Sequence, residues 1–258
     1  MCFHAQIQTK KPSFKKYYDF DPNLPLDLGK QFAFMAELYT PYYHVSGFDH
    51  PKVLLVDQDF NLSYKSWGLI PNWINNSTEA NAIANKTINA RAESVFEKAS
   101  FKNSITTGRC VLLLEGYYEH HHSGNGVYPY RFYREDGEQI AVACLYDAWT
   151  NPINNEEQSS FSIITTKGND KAKLVHNNPK NKEARMPLVL GNSMDIGRFL
   201  SQGNDKNTLD ALAIEARKQN LKAHAVSKIT GKNKSANNAD ILRTVNYPEL
   251  GFFMPSEL

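Results

Sequence analysis

Short apolar runs separated by turn residues recur along this chain, and this pattern constrains its fold more than any other feature. The runs are rich in β-branched and aromatic side chains, which is typical of strands. Residues 57–61 lie between two such runs and predict a hairpin, and Asp136-Gly137 predicts a second turn over residues 135–138. The predicted strands are residues 51–56, 62–67, 111–118, 128–134, 139–146, 161–166 and 187–190.

Apolar residues at helical spacing occur in only a few stretches. The predicted helices are residues 90–101, 193–200 and 208–219, with Ser193 and Thr208 as N-caps. Strands and helices do not alternate regularly, so the pattern predicts an α+β fold with a mainly antiparallel, curled, barrel-like sheet and peripheral helices. We find no internal repeat and no linker, and we therefore expect one domain over residues 1–258.

Cysteine usage indicates the cellular compartment. Three cysteines are an odd and low number for a disulfide framework, and they indicate a reducing environment. Cys110 and Cys144 lie within apolar runs and are expected to be buried. The sequence contains neither the apolar segment of a signal peptide nor that of a membrane span, so we expect a cytoplasmic protein. A net charge of +2 neither requires nor excludes binding to nucleic acid.

Cys2 differs from the other cysteines because only Met1 precedes it. Removal of Met1 by a methionine aminopeptidase would leave a residue with both a free α-amine and a thiol. The ordinary pKa of an α-amine is about 7.7–8.0, so part of it is neutral near pH 7 and can attack an aldehyde to form a Schiff base. The thiol can then close a five-membered thiazolidine ring. An N-terminal cysteine also suits amide hydrolysis, and both chemistries remain open at this point.

Four further motifs follow Cys2, each where a predicted element begins or ends. They are Trp67-Gly68-Leu69-Ile70-Pro71, Asn89-Ala90-Arg91-Ala92-Glu93, Gly116-Tyr117-Tyr118-Glu119, and His176 upstream of Arg185-Met186-Pro187. In this order they resemble the SRAP domain family of abasic-site processing proteins, from Cys2 to about Val226. The resemblance implies a β-rich α+β fold, binding to single-stranded DNA, and a thiazolidine crosslink between Cys2 and the aldehyde of a ring-opened abasic site.

The resemblance also implies the residues of the reaction. Cys2 is expected to be the nucleophile, through its amine and its sulfur. Asn89 is expected to hydrogen-bond the opened sugar or the amine. Glu119 would move protons during ring opening and thiazolidine closure, and His176 would assist the Schiff-base chemistry, lyase-type release or reversal of the crosslink.

DNA contacts are implied for three more residues. Arg91 and Arg185 are expected to bind phosphates beside the lesion, because a guanidinium matches phosphate oxygens in pairs. Trp67 is expected to stack on a base. The resemblance further leads us to expect a monomer associated with the nucleoid, with no cofactor, no metal and no membrane partner.

The chain departs from the family pattern at several positions. His4 stands where members commonly have an arginine that contacts phosphate. His120 stands in place of a tryptophan, and Ser46-Gly47 in place of Ala-Pro. A polar insert over residues 177–184 separates His176 from Arg185.

Other interpretations remain open from the sequence alone. The chain could be a cysteine peptidase or amidohydrolase that uses Cys2, or a nucleic-acid binding module without catalysis. The lysines of residues 228–238 could contact phosphates or lie in a solvated loop. Three consecutive histidines, 120–122, cannot all converge on one metal from a strand, because successive side chains point to opposite faces.

Overall fold

The computed structural model describes residues 2–12, 35, 39–124, 126–202, 205–232, 234–253 and 258. Its strands are β1 (His4–Ile7), β2 (Tyr42–Ser46), β3 (Lys52–Asp57), β4 (Leu62–Trp67), β5 (Asn89–Arg91), β6 (Arg109–Ser123), β7 (Gly126–Tyr133), β8 (Ile140–Thr150), β9 (Glu157–Lys167), β10 (Arg185–Pro187), β11 (Val189–Leu190) and β12 (Lys222–Ala225). Its α-helices are α1 (Ser77–Ala84), α2 (Ser104–Thr107), α3 (Asp170–Val175), α4 (Ser193–Gly197) and α5 (Lys206–Lys218).

Five strands close into a barrel. Strands β3, β4, β9, β8 and β6 pair in that order, and β6 returns to β3. The pairing of β4 with β9 is parallel, and the other four pairings are antiparallel. The predicted α+β fold with a barrel-like core is therefore confirmed.

The long strand β6 joins this barrel to the remaining strands. Its first half pairs with β3 and β8. Its second half pairs with β1 and β7. β6 therefore continues out of the barrel, and its residues 114–118 lie beside the N-terminal strand β1.

Apolar side chains fill both faces of the barrel strands. One buried cluster draws residues from all five barrel strands, including Leu55, Leu112 and Phe161. Alternate residues such as Val111 and Leu113 belong to a second cluster that includes residues of α4 and α5. Burial on both faces explains why residues 110–114 are continuously apolar. Cys110 and Cys144 are buried, as predicted.

Several predicted elements are confirmed, and β6, β8 and β9 are longer than predicted. The hairpin over β3 and β4 forms in register, with Leu55 paired to Ser63. The turn at residues 135–138 also forms, and Gly137 adopts a positive φ of 70° that suits glycine. However, this turn does not join a hairpin, because β7 and β8 pair with other strands and not with each other. β7 pairs with β6 and β12, and β8 pairs with β6, β9 and β11. The predicted loop at residues 151–160 is shorter, because β9 begins at Glu157.

The predicted helix over residues 90–101 is wrong. Residues Asn89–Arg91 form β5, which pairs in parallel with β9, and Ala92–Ser94 form a short 3-10 turn. The apolar spacing reflected burial, since Ala92 and Val95 are buried. The backbone hydrogen bonds of residues 89–91 are made to the edge of β9 and not within a helix. The helix caps also differ from the prediction. Asn192 and Asp205, immediately outside the helices, accept the capping hydrogen bonds of α4 and α5.

Helices within the described ranges lack the length and apolar character needed to span a bilayer.

Leu112→Ala is expected to lower the free energy of unfolding by about 2–5 kcal/mol, because Leu112 is fully buried and its truncation leaves a cavity inside the barrel. Ile153→Ala is the control, since Ile153 is 81% exposed and should change stability by less than about 0.5 kcal/mol. Urea denaturation measures both. Equal effects of the two substitutions would contradict the assignment of Leu112 to the core.

Candidate functional site

The N-terminal segment is held against the end of β6. His4 of β1 pairs with Tyr118, which precedes Glu119. The backbone N–H of Gly47 donates to the carbonyl oxygen of Phe3 at 2.8 Å, which fixes the residue after Cys2. The Cys2 side chain is fully buried and belongs to the same apolar cluster as Leu55, Leu112 and Phe161. The sequence therefore places its first cysteine next to the carboxylate that ends the Gly116–Glu119 motif.

Glu119 and His176 form a buried hydrogen-bonded pair. The distance between His176 Nδ1 and Glu119 Oε2 is 3.0 Å, and both side chains are more than nine-tenths buried. His176 lies immediately after α3, and its N–H donates to Ala172. The pair lines a cleft of about 280 Å³ whose walls include Phe3 and His4. Two of the predicted catalytic residues thus meet beside the segment that carries the third.

Burial and charge set the protonation of this site. Burial, together with the carboxylate of Glu119, raises the pKa of the Cys2 thiol. Burial by itself would also raise the pKa of Glu119, but the positive charge at the N-terminus and the hydrogen bond with His176 lower it below its ordinary value. The site therefore holds a protonated thiol beside an ionised carboxylate, which can accept a proton.

Three histidines near the cleft are neutral at neutral pH. His4 Nδ1 and His44 Nε2 lie 3.0 Å apart, and the ring of His120 contacts that of His4 edge-on. Burial lowers the pKa of each to about 4, and for His4 the second cause is His44. His4 therefore does not supply the positive charge of an arginine. Within the described ranges, no group of three or more His, Cys, Asp or Glu residues is arranged to hold a metal ion.

Asn89 and Arg91 line a second cleft, of about 630 Å³. The side-chain nitrogen and oxygen of Asn89 are both buried, and neither has a hydrogen-bond partner in the part of the chain that the structure describes. Such an amide is costly unless a ligand satisfies it. Arg91 is exposed. The other walls include Trp73, which is 47% exposed, and two lysines, Lys86 and Lys98.

The DNA contact predicted for Trp67 is corrected. Its indole is fully buried, donates from Nε1 to the carbonyl oxygen of Ile88 at 2.9 Å, and stacks on Phe161 with ring centroids 6.0 Å apart. No face of the ring is open to a base. Trp73, two residues after the Trp67–Pro71 motif, is 47% exposed and lines the cleft that contains Asn89 and Arg91.

The phosphate contact predicted for Arg185 is also corrected. Arg185 is 1% exposed, and its guanidinium is occupied inside the protein. Nη2 contacts Glu93 at 2.7 Å and the carbonyl oxygen of Thr165 at 2.7 Å, and Nη1 contacts Glu183 at 2.9 Å. This arginine ties β10 to the turn after β5 and has a structural role.

Comparisons with known proteins agree with this arrangement. A family model described as SOS response associated peptidase (SRAP) matches residues 1–233. Abasic site processing protein HMCES of Xenopus tropicalis is 29% identical over 230 residues, which cover 79% of this chain and 65% of that protein. Abasic site processing protein YoqW of Bacillus subtilis is 28% identical over 199 residues, which cover 76% of this chain and 84% of that protein.

The fold is also found among solved structures. The crystal structure of a protein from Bacteroides thetaiotaomicron matches with a TM-score of 0.75 and 27% identity, covering 94% of this chain and 99% of that chain. The vertebrate relatives are longer than the matched region, since the chain aligns with 65% of the Xenopus tropicalis protein and 62% of the Gallus gallus protein.

Arg185→Met is expected to lower the free energy of unfolding by roughly 1–3 kcal/mol, because it leaves buried hydrogen-bonding partners unsatisfied. Arg91→Met, at an exposed position, should change it by less than about 0.5 kcal/mol. Denaturant titration of both variants measures the difference. A fully stable Arg185→Met protein would contradict the structural role.

Proposed function

The chain belongs to the SOS response associated peptidase (SRAP) family, and on that premise we propose that it captures abasic sites in single-stranded DNA through a covalent bond to Cys2. The relatives named abasic site processing proteins imply DNA with abasic sites as the substrate and a DNA-processing enzyme activity. The observation that carries the proposal is a buried, protonated Cys2 thiol beside the carboxylate of Glu119, which is hydrogen-bonded to His176.

The proposed reaction begins after Met1 has been removed, when the α-amine belongs to Cys2. The neutral amine adds to C1′ of the ring-opened deoxyribose, and one amine proton passes to the aldehyde oxygen. Loss of that oxygen as water gives an imine. Sγ then bonds to C1′, while the thiol proton ends on the nitrogen. Aldehyde plus cysteine thus yields a thiazolidine and one water molecule, with no redox change.

Glu119 suits the proton transfers of this sequence. As a carboxylate beside the thiol, it can accept a proton from the attacking amine and return it to the departing hydroxyl. His176, hydrogen-bonded to Glu119 at 3.0 Å, stabilises the carboxylate and can share the proton. The same groups would act in reverse if the crosslink reopens, so lyase-type release and self-reversal belong to the same proposal.

Because the Cys2 thiol is protonated, the amine is expected to attack the aldehyde before the sulfur does. A cysteine peptidase attacks with a thiolate, which requires a lowered thiol pKa. Here burial and Glu119 raise the pKa of Cys2. Peptidase activity on other proteins is therefore the less favoured alternative.

The second cleft suits a single DNA strand next to the lesion. Trp73 offers an exposed aromatic face for a base, and Arg91, Lys86 and Lys98 supply positive charge for phosphates. The unsatisfied amide of Asn89 can both donate and accept a hydrogen bond, which suits a sugar hydroxyl. We propose that this cleft, rather than Trp67 or Arg185, binds the strand.

Cys2→Ser is expected to convert a permanent crosslink into a reversible one. The variant keeps an amine that forms an imine, but its weakly nucleophilic hydroxyl does not close a stable thiazolidine. Wild-type protein mixed with abasic single-stranded DNA should therefore give a shifted band on a denaturing gel. Cys2→Ser should give that band only after borohydride reduction of the imine.

The controls separate the alternatives. Cys144→Ala removes a different buried cysteine and should keep the crosslink. Acetylation of the Cys2 amine should abolish the band with and without borohydride. An unchanged band in Cys2→Ser would refute the thiazolidine, and hydrolysis of added peptides without any DNA adduct would favour the peptidase alternative.

Trp73→Ala is expected to weaken binding to single-stranded DNA about tenfold, since base–aromatic stacking contributes about 1–3 kcal/mol per base. Arg91→Met should reduce the slope of log affinity against log salt by about one unit. Fluorescence anisotropy with an intact single strand measures both, apart from any crosslinking. Arg217→Met is the matched control, because Arg217 is exposed on α5 outside this cleft. An equal effect of Arg217→Met would contradict this binding surface.

A further inference from the structure

The insert between His176 and Arg185 reaches back to the site. Asn181 Nδ2 lies 2.7 Å from His176 Nε2, on the side of the ring opposite Glu119. We propose that Asn181 is a positioning residue that determines which nitrogen of His176 carries the proton, and thereby keeps Glu119 ionised. This inference rests on the proposed function, in which Glu119 accepts a proton.

Hydrogen-bond chemistry leads to this assignment. An amide NH₂ only donates, so a contact from Asn181 Nδ2 requires an unprotonated Nε2 on His176. In the neutral ring the proton then lies on Nδ1, which donates to Glu119 Oε2 at 3.0 Å. In the opposite tautomer, Nδ1 would face Glu119 with a lone pair, and the carboxyl would have to be protonated. The donor from Asn181 therefore favours an ionised Glu119.

The insert is anchored well enough to hold Asn181 in place. The side chain of Asn177 accepts from His122 N–H at 2.7 Å and donates to the His122 carbonyl oxygen at 2.9 Å, which clamps the insert to β6. A turn then brings the backbone N–H of Asn181 to the carbonyl oxygen of Asn178 at 2.9 Å. At the far end, Ala184 accepts from Gly168. Both ends of the insert are thus fixed to the barrel strands or the segments next to them.

The amide of Asn181 can be removed without opening the core. Asn181 is exposed overall, so substitutions there should leave the fold intact. Asn178 offers a matched control in the same insert, because its side chain accepts from the N–H of Lys180.

The test is ¹⁵N NMR of the His176 ring in protein without DNA. In the wild-type protein, the His176 ring should carry its proton on Nδ1, and Nε2 should be unprotonated. Asn181→Asp replaces the donor with an acceptor, so it should protonate Nε2 near neutral pH, whereas Asn178→Leu should leave the wild-type pattern. A wild-type ring with its proton on Nε2, or an Asn181→Asp ring with the wild-type pattern, would overturn the proposal.

Kinetics provides the second readout. An imidazolium at His176 would lower the pKa of Glu119, so the pH at which the crosslinking rate rises should fall in Asn181→Asp by about 1–3 units, as expected for an opposite charge within 4–6 Å. The titratable groups of the cleft and insert near the ring are unchanged in this variant; they are Glu119, His4, His120, His122 and Lys180. A lower rate with an unshifted profile would contradict the positioning role. Because the NMR measurement needs no DNA, it tests the role of Asn181 even if the protein forms no crosslink.

Discussion

The backbone hydrogen bonds of the long strand β6 hold the barrel and the N-terminal strand together. Its first half closes the barrel between β3 and β8, and its second half leaves the barrel between β1 and β7. One continuous strand therefore connects the apolar core to the N-terminus. Because β1 pairs with the second half, the register that begins inside the barrel also fixes where Cys2 lies relative to Glu119.

This placement gives the site its chemistry. A carboxylate buried near the end of β6 would ordinarily be protonated, but a neighbouring positive charge and His176 keep it ionised. The same carboxylate, together with burial, keeps the Cys2 thiol protonated. The insert adds Asn181 on the far side of His176. The structure thus brings a buried thiol and a buried carboxylate together beside the N-terminal strand.

The sequence predicted the strands better than the helices and caps, because alternating or continuous apolar residues report burial directly. The prediction of a helix over residues 90–101 was wrong because a strand paired with β9, followed by a short turn, also buries apolar residues at helical spacing. Cys2, Glu119 and His176 were identified by motif and do lie together. Trp67 and Trp73 could not be distinguished, since exposure depends on contacts with Ile88 and Phe161 distant in sequence. Asn181 carried no local signal at all.

We propose that the amine and sulfur of Cys2 together capture a DNA-borne aldehyde. Intact-mass spectrometry of the purified chain, before and after mixing with an abasic oligonucleotide, tests it most directly. We expect a chain that lacks Met1 and then gains the mass of the oligonucleotide minus one water, with the modification found on Cys2 after digestion. A chain that retains Met1 and still forms the adduct, or an adduct on another residue, would contradict it.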